Sequence, residues 1–428
     1  MKNKKLFQKI VLIALAAAVL FALIAPAIFS QTLPQPRKET LLNGLKVLMW
    51  SDARADKVSV KIRIHSGSAF DPQGKEGVMQ MLADNIFPNE ASREFFTEDL
   101  EGSLDVTSNY DFIQINASSK PESFLTMLET LSGAVSNPAI DRETTVKLRT
   151  ALLAKVAAME ADPAYVADQA VAKRLFGTFP YGRPQLGTAA SLQKIDFADL
   201  IDAKSRFLTA DNATITVSGN FEKALGFRAI RRYFGGWLKS DKPVPATFRQ
   251  PDEPQAGVQT VPSPKPGVSA IRFALRGVSR SEKDLAASLI FSTILENRLK
   301  ASAPAAHASD VFVRNEPRKL PGMIVAGFSA VKNFGGNGKL EANDLVGKAI
   351  SEPITETEFQ NAKNSVQLTW SKRETTSIWL DADTYKLAGI DADIRLVDRV
   401  TFGDLKAYVE KTRRLPLVTV LINTPQAN

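Results

Sequence analysis

Apolar residues follow two rhythms along the chain, and the rhythms come twice in the same order. Alternation with a period of two marks VSVKIRIHSGS at 58–68 and VSAIRFALRGVS at 268–279 as strands. Each is followed by a helix-length segment with apolar residues at the helical period. KIDFADL at 194–200 matches RVTFGDL at 399–405, each predicting a helix that starts at an N-cap, Asp196 or Thr401, with an acid three residues on. A β-branched run then closes each half, NATITVSGN at 212–220 and LPLVTVLIN at 415–423. The partners are offset by 210, 205 and roughly 203 residues. A duplicated α+β unit is the simplest account.

Within the first half, Asn43-Gly44 in LLNGLKVLMW predicts a hairpin with a type I′ turn. Helical patterns run over about 120–135 and over 141–161, and another precedes FPYGRPQLGT. Strands clustered with helices predict a mixed, largely antiparallel sheet with helices packed on one face. Seven prolines within 243–266 remove backbone donors and fix φ, which reads as an extended linker. The chain therefore divides into a leader at 1–30, a unit at 31–240, a linker at 241–266 and a second unit at 267–428.

The leader carries Lys2, Lys4, Lys5 and Lys9 ahead of the apolar run IVLIALAAAVLFALIA at 10–25, with Ala25, Ala27 and Ser30 placed for a signal peptidase. Pro26 ends the run, favouring cleavage near 27–30 over an uncleaved membrane anchor. Either way the body is expected to be exported, to the periplasm or outside the cell. Subtracting the four leader lysines from the formal charge of +8 leaves +4, so the basic balance does not argue for a nucleic-acid partner.

Candidate chemistry is sparse. With no cysteine, thiolate metal sites and cysteine nucleophiles are excluded. Only His65 and His307 offer imidazole, 242 residues apart, and no G-x-S-x-G elbow accompanies them. His65, in KIRIHSG, reads as a satisfied structural residue. FGGNG at 334–338 lacks the strand and lysine of a phosphate loop and reads as a turn. The helix GVMQMLADNIF at 77–87 is different. Val78, Leu82 and Ile86 make a buried stripe, while Gln80, Ala83 and Asp84 share one face at i, i+3 and i+4. That is the spacing of an H-x-x-E-H zinc helix, with other residues in its three positions.

The surrounding blocks resemble the pitrilysin/insulinase family of zinc peptidases, which includes mitochondrial processing peptidase. LLNGLKVLMW is similar to the family's opening hairpin, GSAFDPQGKEGVMQMLADNIF to its inverted zinc segment, and LEGSLDVTSNYDF to the loop beyond it. FPYGRPQLGTAASLQKIDFADL and NATITVSGNF resemble the end of its N-terminal unit. Several blocks in the right order make the resemblance specific. It implies two homologous α/β-sandwich units that form one half of a clamshell.

Carried over position by position, the first His becomes Gln80, the catalytic Glu becomes Ala83 and the second His becomes Asp84. The family's third ligand, a Glu upstream of a DP pair, falls on Lys155, given Asp162-Pro163; a shifted alignment would point to Glu160. The family's peptide-holding Arg falls on Arg298, without its downstream Tyr; read from the residues alone, Arg298 is a solvated helix residue. An amide is a poor zinc ligand, an ammonium repels the ion, and an alanine methyl takes no proton. The resemblance thus implies a chain that is inactive by itself and holds no cofactor, with zinc only in an active partner. The leading reading is the degenerate subunit of a heterodimer with a homologous active peptidase, closing a chamber around peptide substrates. Such a chain touches the membrane only through an uncleaved leader. Two other readings are an exported zinc endopeptidase using Asp84 and Glu160, and a stand-alone peptide-binding, chaperone-like clamshell. Lys155 would either pair with Asp84 in the cation's place, with Gln80 adding a hydrogen bond, or both side chains would simply reach solvent in an open chamber.

Overall fold

The computed structural model describes residues 35–240, 244, 248–303, 310–331 and 338–423; the leader, His307 and 334–337 of the Gly-rich turn fall outside them. The first half contains β1 (Arg37–Thr40), β2 (Lys46–Ser51), β3 (Val58–Ile64), α1 (Val78–Ile86), α2 (Glu90–Glu98), β4 (Ser103–Ser108) and β5 (Ile113–Ser119). It continues through α3 (Phe124–Ser136), α4 (Arg142–Glu160), α5 (Pro163–Phe176), α6 (Ala189–Leu192), α7 (Phe197–Phe207), β6 (Ala213–Gly219) and α8 (Lys223–Phe234). The second half contains β7 (Gly257–Pro262), β8 (Ser269–Arg276), α9 (Leu285–Ser302), β9 (Val311–Glu316), β10 (Met323–Val331) and α10 (Gly338–Ser351). It ends with α11 (Glu356–Ser371), α12 (Thr375–Thr384), α13 (Ile390–Ile394), α14 (Phe402–Thr412) and β11 (Val418–Asn423).

The repeat in the sequence is a repeat in topology. The first sheet runs β1-β2-β6-β3-β5-β4 and the second runs β7-β11-β8-β10-β9. In each, one parallel pair (β2 with β6, β7 with β11) borders an otherwise antiparallel ladder. Apart from the extra edge strand β1, the two orders correspond strand for strand. The protein is an α+β molecule with two sheet-plus-helix lobes. The expected N-caps are present as well: Asp196 with Asp199 and Thr401 with Asp404 both form reciprocal capping boxes.

The β3 side chains explain how the lobes join. Val58, Val60, Ile62 and Ile64 face the helices of the first half and are fully buried with Met79, Leu82, Leu128 and Leu131. Lys61 and Arg63 point to the opposite face, as the pleat requires, yet both are also buried. They are covered by α12 from the second half, through Lys61–Glu374 and Arg63–Asp381 pairs. The second sheet is covered in return: Ala167, Val171 and Leu175 of α5, a first-half helix, pack against Ala270, Ala274 and Val420. Each sheet thus has its own helices on one face and receives a helix of the opposite half on the other.

The opening hairpin differs from the sequence expectation. A type I′ turn needs positive φ at both central residues, but here only Gly44 takes it, at +88°, within a three-residue loop closed between Leu41 and Leu45. Asn43 is used otherwise. Its amide donates to the carbonyls of Phe234 (2.8 Å) and Trp237 (2.9 Å), tying the loop to the end of α8.

Candidate functional site

Helix α1 begins at a built anchor. Gly77 has φ of +106°, and the Asp71 carboxylate accepts from the backbone N–H of Gly77 (2.8 Å) and of Met79 (2.7 Å). Burial pushes the Asp71 carboxyl up to about 7, against the pull of those two donors. From this anchor α1 runs along α4 and α7 and touches the edge strand β4. It is buried on nearly every side, with only Asp84 partly exposed.

The face carrying Gln80, Ala83 and Asp84 is closed on itself. Gln80 Nε2 donates to Asp84 Oδ1 at 2.9 Å, and Ala83 contributes a buried methyl. Desolvation raises the Asp84 carboxyl above its ordinary value, opposed by the Gln80 hydrogen bond and by the charges of Lys155 and Arg93. Lys155 stands exposed on α4 and forms no ion pair with Asp84. Gln80, not the ammonium, partners Asp84. Neither expected arrangement is present in full: Lys155 reaches solvent, where its ammonium keeps its hydration, while Asp84 is only partly exposed and bonded to Gln80.

This donor set does not fit zinc. An amide already donating, a methyl, one carboxylate and a nearby ammonium supply neither the three ligands nor the base that the ion's chemistry requires. Glu160 does not repair it: it lines a neighbouring cavity of about 590 Å³ with Glu76, Lys173 and Arg183, away from Gln80 and Asp84. Among the described residues no three His, Cys, Asp or Glu side chains are grouped to hold a metal ion.

What the structure does place beside Gln80 and Lys155 is a cavity of about 540 Å³. One wall is the end of β4, Val106 to Ser108; others come from α4, α5 and the β9–β10 hairpin, so both halves line it. Arg314 pairs with Asp168 at 2.8 Å and with Glu316 at 3.3 Å, and Arg318 pairs with Glu316 at 2.7 Å. The Arg318 guanidinium lies 4.3 Å from the Tyr110 ring centroid and 5.3 Å from that of Tyr181. Asp111, behind them, accepts from Tyr181 Oη at 2.8 Å and from the Lys319 backbone N–H at 2.9 Å, locking the hairpin to the first half. Tyr110, Asp111 and Tyr181 lie in blocks already quoted for the family resemblance, but Asp168, Arg314, Glu316 and Arg318 did not stand out in the sequence, because no local motif links strand β9 to helix α5.

Two other sequence candidates lie elsewhere. His65 is partly buried, with its ring between Thr214 Oγ1 (2.9 Å), Thr384 Oγ1 (3.2 Å) and Asp383 Oδ2 (3.0 Å). Burial holds its pKa below the ordinary value. This is the satisfied structural histidine expected. Arg298 is neither solvated nor turned to the cavity. It donates to both Glu358 oxygens (2.6 and 2.9 Å) and to the carbonyls of Ala349, Glu352 and Pro353, joining the end of α10 to the start of α11. Expectation and structure differ here because the α10–α11 turn brings three free carbonyls to one guanidinium.

Two family models match the chain: Insulinase (Peptidase family M16) over residues 46–189, and Peptidase M16 inactive domain over residues 194–366. The chain belongs to the M16 peptidase family. Its α1 face is where this M16 chain lacks the donors of a zinc peptidase. A probable mitochondrial-processing peptidase subunit beta of Arabidopsis thaliana is 23% identical over 312 residues, 71% of this chain and 58% of that protein. The M16 chain spans between 50% and 60% of the length of the curated relatives it matches. A crystal structure of a peptidase M16 inactive domain from Pseudomonas fluorescens superposes with a TM-score of 0.80 at 19% identity, covering 92% of this chain and 99% of that one. The periplasmic protease PqqL from Escherichia coli gives 0.72 at 16% identity, over 92% of this chain and 47% of that one. Both likenesses concern the fold.

Proposed function

We propose that this M16 chain is a non-catalytic peptide-binding subunit that works beside a zinc-bearing homologue. The observation that carries the reading is the Gln80–Asp84 hydrogen bond beside an open cavity: the ligand face is satisfied internally, while the space next to it is kept. Strand β4 supports the peptide-binding part. It is an edge of the first sheet, and Ser108 turns its carbonyl outward to accept from Gln185 Nε2 at 2.6 Å. By the alternation of an antiparallel pair, Leu104 and Val106 also turn their backbone groups outward, as a template for an extended chain.

The partner part draws on the relative named as a subunit, and on a chain that has the fold without the donors. The lysine-led apolar leader sequence supports a site outside the cytoplasm for this pair, and the similarity to a periplasmic protease is in keeping with that. Pull-down of the tagged full chain from its native host, with metal analysis of the eluate, tests the reading. Expected is a co-eluting M16 homologue with an intact zinc motif, about one zinc per pair, and no peptide cleavage by this chain alone. Stable monomer beside that homologue, or cleavage by this chain alone, would overturn it.

A further inference from the structure

The cavity beside α1 holds five charged side chains: Lys155, Asp168, Arg314, Glu316 and Arg318. Both carboxylates are engaged twice, Asp168 by Arg272 and Arg314, Glu316 by Arg314 and Arg318. Lys155 has neither an ion pair nor a hydrogen bond among the described residues, and its side chain is exposed to the cavity. The lining therefore carries one cation in excess, and that excess is Lys155. The same cavity is lined by Ser108, whose Oγ is buried without a hydrogen-bond partner. A buried polar atom left unsatisfied is costly, and a ligand atom that completes it recovers that cost. Ser108 is the last residue of β4, so a chain laid along this edge passes both groups.

We infer that the cavity is a carboxylate receptor: an extended peptide lies along β4 and places an acidic group, side chain or free C-terminus, on the Lys155 ammonium. The inference rests on the peptide-binding part of the function above and deepens it by naming the ligand chemistry. The exposed Lys155 ammonium attracts a full negative charge more strongly than a neutral group. Arg314 and Arg318 each hold a carboxylate of the cavity whereas Lys155 holds none, so selectivity for the anion is assigned to Lys155. A charge-assisted hydrogen bond is about twice as strong as a neutral one, which corresponds to a preference of about fivefold for acid over amide.

The test uses the full chain and three fluorescein-labelled peptides of equal length that differ in one group each. One has an internal glutamate and an amidated end, one has glutamine there and an amidated end, and one has glutamine and a free C-terminus. Anisotropy titrations are expected to show one acidic peptide binding about fivefold tighter than the neutral one. Which of the two gains tells whether the carboxylate is a side chain or a terminus. Lys155→Gln should erase the difference between the acidic and the neutral peptide, and Lys155→Glu should reverse the preference; both changes are at an exposed position that the fold tolerates. Added salt should weaken only the acidic peptide. Equal binding of all three peptides overturns the carboxylate inference alone, as does a gain that survives in Lys155→Gln. Failure of every peptide to bind overturns it together with the peptide-binding reading.

Discussion

Arg298 and Lys155 show how the setting of a side chain decides what a cation does. Arg298 is 11% exposed and its donors are spent on Glu358 and three carbonyls. The Arg298 hydrogen bonds hold the Glu358 carboxyl down at about 2, aided by Thr355 and opposed by desolvation. A depressed carboxyl contributes stability that is full above its ordinary value near 4.5 and is lost as pH falls through about 2. Arg298→Ala is therefore expected to lower stability at neutral pH by roughly 2 kcal/mol, between the values for exposed and buried pairs. It should also flatten the loss of stability between pH 4.5 and 2. Urea melts across that pH range, run beside peptide titrations, check this; altered peptide affinity with unchanged stability would show a peptide contact instead. Lys155 has no such partners, and the same positive charge stays available to a ligand.

At the scale of elements, α1 is held by its first turn. A Cβ on Gly77 would sit 2.5 Å from Leu192 Cδ2 and 2.9 Å from the Leu186 carbonyl, in a backbone conformation that side chains rarely adopt. Gly77→Ala should cost roughly 2–4 kcal/mol in a denaturant titration and shift Gln80 and Asp84 together. Asp71, which caps the same turn, titrates near 7, above its ordinary value of 3.8. The folded state then holds a proton that the unfolded state has released, so this residue's contribution to stability falls as pH rises from about 4 to about 7. Asp71→Asn should remove that slope, read as a flatter Tm against pH in calorimetry. The caps and the strand alternation were legible beforehand because they depend on neighbours three or two residues away. The hairpin turn was not: Asn43 finds its partners in Phe234 and Trp237, and these override the local preference.

For the whole molecule, the exchange of helices sets how it unfolds. Without α12, the first sheet would expose Lys61, Arg63 and His65 together with Thr214; without α5, the second would expose Ala270, Ala274 and Val420. Asp383 joins this interface by accepting from His65, Lys46 and Thr214, and those bonds hold its carboxyl well below the usual range despite burial. Calorimetry on the full chain should give a single transition, and residues 31–240 expressed alone should lack a cooperative melt. Two separate transitions would show that the lobes fold independently.

The order of residues alone settles the duplicated α+β plan, the place of α1 and the chemistry missing from its face. Hydrophobic period, capping and the identity of Gln80, Ala83, Asp84 and Lys155 are local properties, readable without knowing what lies across the fold. The cavity, the engaged state of Arg298, the unpaired Lys155 and the mutual covering of the two sheets were decided only by tertiary structure. Each depends on groups more than fifty residues apart, brought together by burial that no local pattern records.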